Sequence, residues 1–259
     1  MNKPIVDVQG QVDSRDIAIA KVGIKGAAFR ARIDFDGEKI QMQGKSNCYV
    51  FLSADKKGTH MSRMARGISK LIDNEVSYQT LKGICEELYT NLETSHLYLE
   101  LEGEAIRKKL SPVTAFVGYE AFNISIYAGT KDGNTSVTAR LEVIGTSLCP
   151  ASKTNSKYGA HNQRSKVCVT IPFTEGTDIK KYLDAVEDSL SARVYPILKL
   201  DDEAFVTEQA FENPRFVEDI VRDAASNLER LGLDFLIIDC ENFESIHTHN
   251  AYAIIYNQK

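Results

Sequence analysis

Tryptophan is absent from this chain, and its five cysteines are too few and too oddly numbered for a disulfide framework. They stand far apart, at positions 48, 85, 149, 168 and 240. No apolar run approaches the roughly 18–20 residues that a membrane-crossing helix needs. The stretch Met1–Asp7 lacks the apolar segment of a signal peptide, so the chain is expected in the cytoplasm, with no membrane partner. Positive charge is in deficit too. The 31 Lys and Arg against 36 Asp and Glu give a net charge of −5, which argues against nucleic acid as a general partner. It leaves room for a local basic pocket, and Arg107-Lys108-Lys109 is either such a cluster or a solvated charged edge. The 43% hydrophobic content suffices for a sizeable core. Cys168 and Cys240, in strand-like runs, read as small core residues.

Hydrophobic periodicity divides the chain into strands and helices. Alternation marks strands at 22–35 and 39–54, then 96–104, 117–128 and 135–146, and finally 166–173, 235–239 and 251–256. Helical spacing predicts helices over 61–72, 78–92 and 178–190. A further helix is predicted over 214–231, with Asn213 as N-cap and Pro214 at the first helical position. Residues 201–208 read as a polar stretch between helices. Gly58-Thr59-His60-Met61-Ser62-Arg63 and Gly159-Ala160-His161-Asn162-Gln163-Arg164 share the pattern G-x-H-x-x-R. With the recurring order of elements, this favours two related α+β modules, 1–130 and 131–259, packed as one rigid unit. Each would carry its own small antiparallel sheet, and the second would hold most of the chemistry.

That chemistry centres on Cys149 and His161. A thiolate and an imidazole are the two commonest zinc ligands, and the short polar loop between them can fold both onto one ion. A carboxylate third ligand would leave one coordination position open for water, as a catalytic site requires. Asp201, Asp202, Glu203 and Glu208 are all candidates, and the residues alone do not choose among them. Glu244-Ser245-Ile246-His247-Thr248-His249 adds a second cluster of ligands and acid–base groups.

The runs KGTHMSR (57–63), TSLCP (146–150), YGAHNQRS (158–165), FENPRFVED (211–219) and ENFESIHTH (241–249) occur in order across almost the whole chain. Together they resemble the GTP cyclohydrolase IB family, the prokaryotic form of the first enzyme of folate synthesis. The resemblance implies a bimodular tunnelling fold assembled into a homotetramer. It implies conversion of GTP and water to 7,8-dihydroneopterin triphosphate and formate, with one divalent metal ion per site (zinc, manganese or iron) and no organic cofactor. Carried over residue by residue, it implies Cys149, His161, Glu203 and His247 as metal ligands and Glu218 as the guanine anchor. Glu244 and His249 match further active-site groups beside Cys149 and His247.

The residue types agree with this chemistry. A carboxylate such as Glu218 accepts both adjacent donors of guanine, N1–H and the 2-amino group. Histidine suits proton transfer near neutral pH. A triphosphate needs a local basic patch, for which the candidates are Lys57, His60, Arg63, Arg107, Lys108 and Lys109, supplied from the same or a neighbouring subunit. The chain departs from the family at Ala151, where a second cysteine is frequent. Two alternatives stay open. One is another tunnelling-fold enzyme, such as a deazaguanine-pathway reductase with Cys149 as nucleophile and a nicotinamide cofactor. The other is a non-catalytic purine-binding module.

Overall fold

Burial alternates along every long strand, and one face of the resulting sheet is covered by helices. The computed structural model describes residues 7–257; residues 1–6, most of the stretch read for a leader, lie outside the described residues. The first half runs β1 (Ile19–Phe35), β2 (Glu38–Leu52), α1 (Met61–Ser69), α2 (Tyr78–Asn91), β3 (His96–Leu110) and β4 (Val117–Lys131). The second runs β5 (Asn134–Leu148), α3 (Pro150–Asn155), β6 (Asn162–Pro172), α4 (Ile179–Glu187) and β7 (Ala192–Arg193). It ends with α5 (Leu200–Glu212), α6 (Val217–Arg230), β8 (Ile237–Asn242) and β9 (Ala251–Tyr256).

Instead of two small sheets there is one. The described strands form an antiparallel sheet in the order β1-β2-β3-β4-β5-β6-β8-β9, with β7 on β5. The join is the β4–β5 ladder, from Ile124 opposite Leu141 to Lys131 opposite Asn134. Residues two apart share a face of a strand. Thus Leu97, Leu99 and Leu101 of β3, Ile124 and Ile126 of β4, and Val167, Val169 and Ile171 of β6 all turn to one side. Met64 and Ile68 of α1, Leu81, Ile84 and Leu88 of α2, Leu183 and Val186 of α4 and Ile220, Ala224 and Leu228 of α6 meet them in a continuous core. The sheet ends at β1 and β9, and β9 leaves Tyr252, Ile254 and Tyr256 exposed. Among the described residues no helix is long and apolar enough to cross a membrane.

Two helical readings are corrected. The stretch read as polar linker is α5. Its apolar signal is weak because it buries little besides Ala210 and the Asp202 side chain. Asp202 starts the helix by accepting from the backbone N–H of Lys199 at 2.9 Å. It also fastens the β3–β4 loop, accepting from the N–H groups of Val113 and Thr114, each at 2.9 Å, and from the Thr114 hydroxyl. Asn213 is then the C-cap of α5, its side chain donating to the Gln209 carbonyl at 2.8 Å. Pro214 lies in a connector, and α6 begins only at Val217, where Asp219 accepts from the Phe216 N–H at 2.9 Å.

The Asp202 contacts carry a pH signature. Burial alone would raise its pKa, but the bonds from Thr114 and the backbone N–H groups outweigh it and hold the carboxyl well below the usual carboxylate range. Its contribution to stability is therefore fully present above the ordinary aspartate value near ~3.9 and is lost as pH falls through the depressed folded value. Urea midpoints measured from pH 7 down to about pH 2 should fall for the wild type and fall less steeply for Asp202→Asn, which starts lower and has no such proton to take up.

The two G-x-H-x-x-R copies fall at inequivalent places. His60 precedes α1, after the second strand of its half, whereas His161 precedes β6, between the first and second strands of the other. The recurrence of strands around helices does not include this motif.

Candidate functional site

The β5–β6 hairpin builds the centre of the site. Its register pairs Thr146 with Arg164, Ser147 with Gln163 and Leu148 with Asn162. The next two residues, Cys149 and His161, face each other at the hairpin mouth, where the Cys149 N–H donates to the His161 carbonyl at 3.1 Å. The loop expected to bring both ends together does so, and it carries the short helix α3. Ser152 ties both ends: its N–H donates to the Cys149 sulfur at 3.4 Å, and its hydroxyl accepts from the His161 N–H at 3.4 Å. Gly159 turns the chain back at φ 116°, in the left-handed region that a side chain would strain.

The connector before α6 closes one wall. Arg215 donates its N–H to the Leu148 carbonyl at 3.0 Å, which holds the start of α6 beside Cys149. Glu218 consequently lies in the exposed first turn of α6. A carboxylate there is favoured by the helix dipole. The end of β8 forms the other wall. Asn242, fully paired to the sheet opposite Ser165, accepts from the Ser165 hydroxyl at 2.6 Å. The following loop carries Glu244 and the exposed His247 and His249, whose rings stack at 5.2 Å between centroids.

Cys149, His161, Glu218, Glu244, His247 and His249 thus line one cleft of about 310 Å³, at the small end of the range for ligand pockets. Cysteine chemistry singles out the same place. All five thiols are free, and Cys48, Cys85, Cys168 and Cys240 are buried. Burial pushes Cys48, Cys85 and Cys240 up to about 12 and Cys168 to about 11, so they stay protonated in the core, as read for Cys168 and Cys240. Cys149 alone is partly open to solvent.

Among the described residues, no three His, Cys, Asp or Glu side chains are gathered closely enough to hold an ion. Cys149, His161 and His247 nevertheless line the same cleft, and a thiolate with imidazoles is a donor set suited to a borderline divalent ion. Glu203, on the exposed side of α5, is not among the residues lining the cleft.

The basic candidates divide three ways. Lys57, His60 and Arg63 lie away from this cleft. His60 and Arg63 line a separate cleft of about 530 Å³ with Asp7 and Lys56. Lys57 donates to Gln11, and Arg63 donates to the Asn91 carbonyl. Arg107 and Lys109 are buried and already paired with carboxylates. Being two apart on β3, they point together under the end of α4. There Lys109 meets Glu187 at 2.7 Å and Glu120 at 3.1 Å, and Arg107 donates to the same two carboxylates. Arg193 completes the cluster on Glu187 at 2.9 Å. Lys108, pointing the other way, is exposed near Glu38.

Three polar residues that line the cleft were missed individually: Gln163, Arg215 and Asn242. All lie within the quoted runs, and none is an acid–base or ligand type that draws attention alone. Among the described residues Arg215 is the one lysine or arginine lining the cleft, and its guanidinium pairs with Asp223 at 2.8 Å.

Comparison with known proteins supplies the family. The family model described as "Type I GTP cyclohydrolase folE2" matches residues 5–253. A "GTP cyclohydrolase FolE2" of Thiobacillus denitrificans is 40% identical over 256 residues, covering 98% of this chain and 94% of the relative. One of Syntrophobacter fumaroxidans is 40% identical over 260 residues, covering 98% and 100%. One of Methylobacillus flagellatus is 38% identical over 259 residues, covering 99% and 97%. The match is to the folE2 type, and this designation replaces the IB label that the sequence runs suggest. The chain belongs to the type I GTP cyclohydrolase folE2 family.

Proposed function

We propose that the Cys149–His161 cleft carries out the GTP cyclohydrolase reaction of this family. GTP and water become 7,8-dihydroneopterin triphosphate and formate, opening folate biosynthesis in the cytoplasm. The observation that carries the residue assignment is the convergence of Cys149, His161, Glu218 and His247, from four separate segments, on one cleft.

Glu218 accepts the guanine N1–H and 2-amino hydrogens, orienting the ring with its imidazole portion toward Cys149 and His161. These two, with His247, would hold one divalent ion, with Glu203 as a further ligand if α5 and the cleft approach one another on loading. A bound divalent ion supplies a water nucleophile at neutral pH. His249 carries protons to and from the opening ring and the sugar during rearrangement, with Glu244 on the same cleft as a carboxylate partner. Protein stripped by chelator and reloaded with Mn²⁺ or Zn²⁺ should turn GTP into a product that oxidises to a fluorescent pterin. A reloaded protein that leaves GTP intact counts against the assignment.

Two features support a tunnelling-fold homotetramer, with modules 1–130 and 131–259. The strand–strand–helices–strand–strand order of the first half recurs in the second with α3 and β7 inserted, and the sheet ends in edges whose exposed apolar residues invite pairing with another copy. Within one chain the cleft is short of cations, while Lys57, His60 and Arg63 stand apart from it. Facing of the two clefts across a subunit junction would complete a triphosphate site, with the exposed Lys108 as a further candidate. Inactive Cys149→Ala and Arg63→Ala proteins, mixed under subunit exchange, should then recover part of the activity. A fully active monomer in light scattering would exclude the assembly.

A further inference from the structure

His161 is held by more than its backbone. Its Nδ1 lies 2.9 Å from the Gln163 side-chain oxygen, and the Gln163 amide nitrogen donates to the Ser147 hydroxyl at 2.7 Å. Ser147 and Gln163 are direct partners across the β5–β6 ladder, so the sheet register itself sets this chain of contacts. Both side chains are buried, Ser147 fully and Gln163 with 8% of its surface exposed. A hydrogen bond in such surroundings is strengthened by the low dielectric.

We infer that Gln163 is a positioning residue that fixes the His161 tautomer and thereby presents Nε2 as a ligand. A carbonyl oxygen only accepts, so the ring nitrogen facing it must carry the hydrogen. A neutral imidazole has one such hydrogen, and with Nδ1 protonated Nε2 keeps a bare lone pair. Among the described residues no protein group takes Nε2, and the ring borders the cleft. Which nitrogen of a histidine can bind a metal is set by the bond the other makes. Such supporting partners typically account for about 10–100-fold in metal affinity. One step back, the Ser147 hydroxyl accepts from the Gln163 amide nitrogen, in the orientation that turns the amide oxygen to the ring. The inference rests on the reading of His161 as a metal ligand.

The test uses the full chain, metal-free and ¹⁵N-histidine-labelled, at about pH 8.5, where an ordinary imidazole is neutral. The His161 ring signals are assigned by their loss in His161→Asn. Wild type should show Nδ1 protonated and Nε2 bare. Gln163→Leu, which removes the acceptor, should move the ring toward the Nε2–H form. Gln163→Glu, whose carboxylate still accepts from Nδ1, should keep the wild-type form. In a parallel Co²⁺ titration, Gln163→Leu should bind about 10–100-fold more weakly, and Gln163→Glu within a few-fold of wild type. A wild-type ring protonated at Nε2, or a Gln163→Leu protein with unchanged tautomer and Co²⁺ affinity, overturns the inference. A wild-type protein that binds no Co²⁺ overturns the metal-ligand reading instead, and the two failures are distinct.

Discussion

Cys149→Ala is expected to lose both its divalent ion and its turnover while keeping its fold. The sulfur is partly exposed and its protein contact is a single long bond from the Ser152 N–H. Removing it therefore costs the core nothing, and the melting temperature of the metal-free protein should stay close to that of the metal-free wild type. The activity should not survive. Bound metal brings the pKa of water from 15.7 to about 7, so losing the ion should lower kcat on the order of 10³-fold or more. Metal content after gel filtration, read beside kcat, checks the claim. An alanine variant that retains the ion and full turnover would place the metal elsewhere.

Glu218→Gln should damage GTP use far more than stability. The carboxylate is exposed in the first turn of α6, so its loss to the helix is confined to a dipole effect of about 0.3–1 kcal/mol. Toward guanine, an amide offers one acceptor oxygen and no charge. Hydrogen bonds to a charged group are worth about 1.5–3 kcal/mol, so kcat/KM for GTP should fall roughly 10- to 150-fold. Inosine triphosphate lacks the 2-amino group, so wild type should use it less well than GTP, and Glu218→Gln should narrow the difference. Equal wild-type rates on both nucleotides would remove the two-point clamp.

Most of the strand and helix pattern was legible because nearly every element is half buried, and half burial writes a period into the sequence. The exceptions have physical causes. Helix α5 shows almost no period because it buries so little, and what it does bury includes the charged Asp202. Asn213-Pro214 carries the chemistry of a helix start, yet Asn213 finishes α5. The Arg215 bond to Leu148 then keeps the connector extended as far as Phe216. That delay puts Glu218 in the first turn of α6, on the same cleft as Cys149.

The site itself was legible in its charged and ligating members and not in its supports. Arg107 and Lys109 read as a basic cluster, because the carboxylates that neutralise them, Glu120 and Glu187, are distant in sequence and meet them only through the fold. Gln163 was invisible for the opposite reason. It is neutral, and its role depends on a cross-strand partner, Ser147, that no spacing rule connects to it. The single continuous sheet was missed because an antiparallel turn at Asp132-Gly133 looks the same whether it joins two strands of one sheet or separates two modules.

The most direct measurement follows the C8 carbon of GTP. With label at that position, metal-loaded wild-type protein should release one labelled formate for each GTP consumed and each pterin formed, while Cys149→Ala releases essentially none and Glu218→Gln releases it slowly at the same stoichiometry. GTP consumption without labelled formate, or full formate release by Cys149→Ala, would contradict the assignment of this cleft as the cyclohydrolase site.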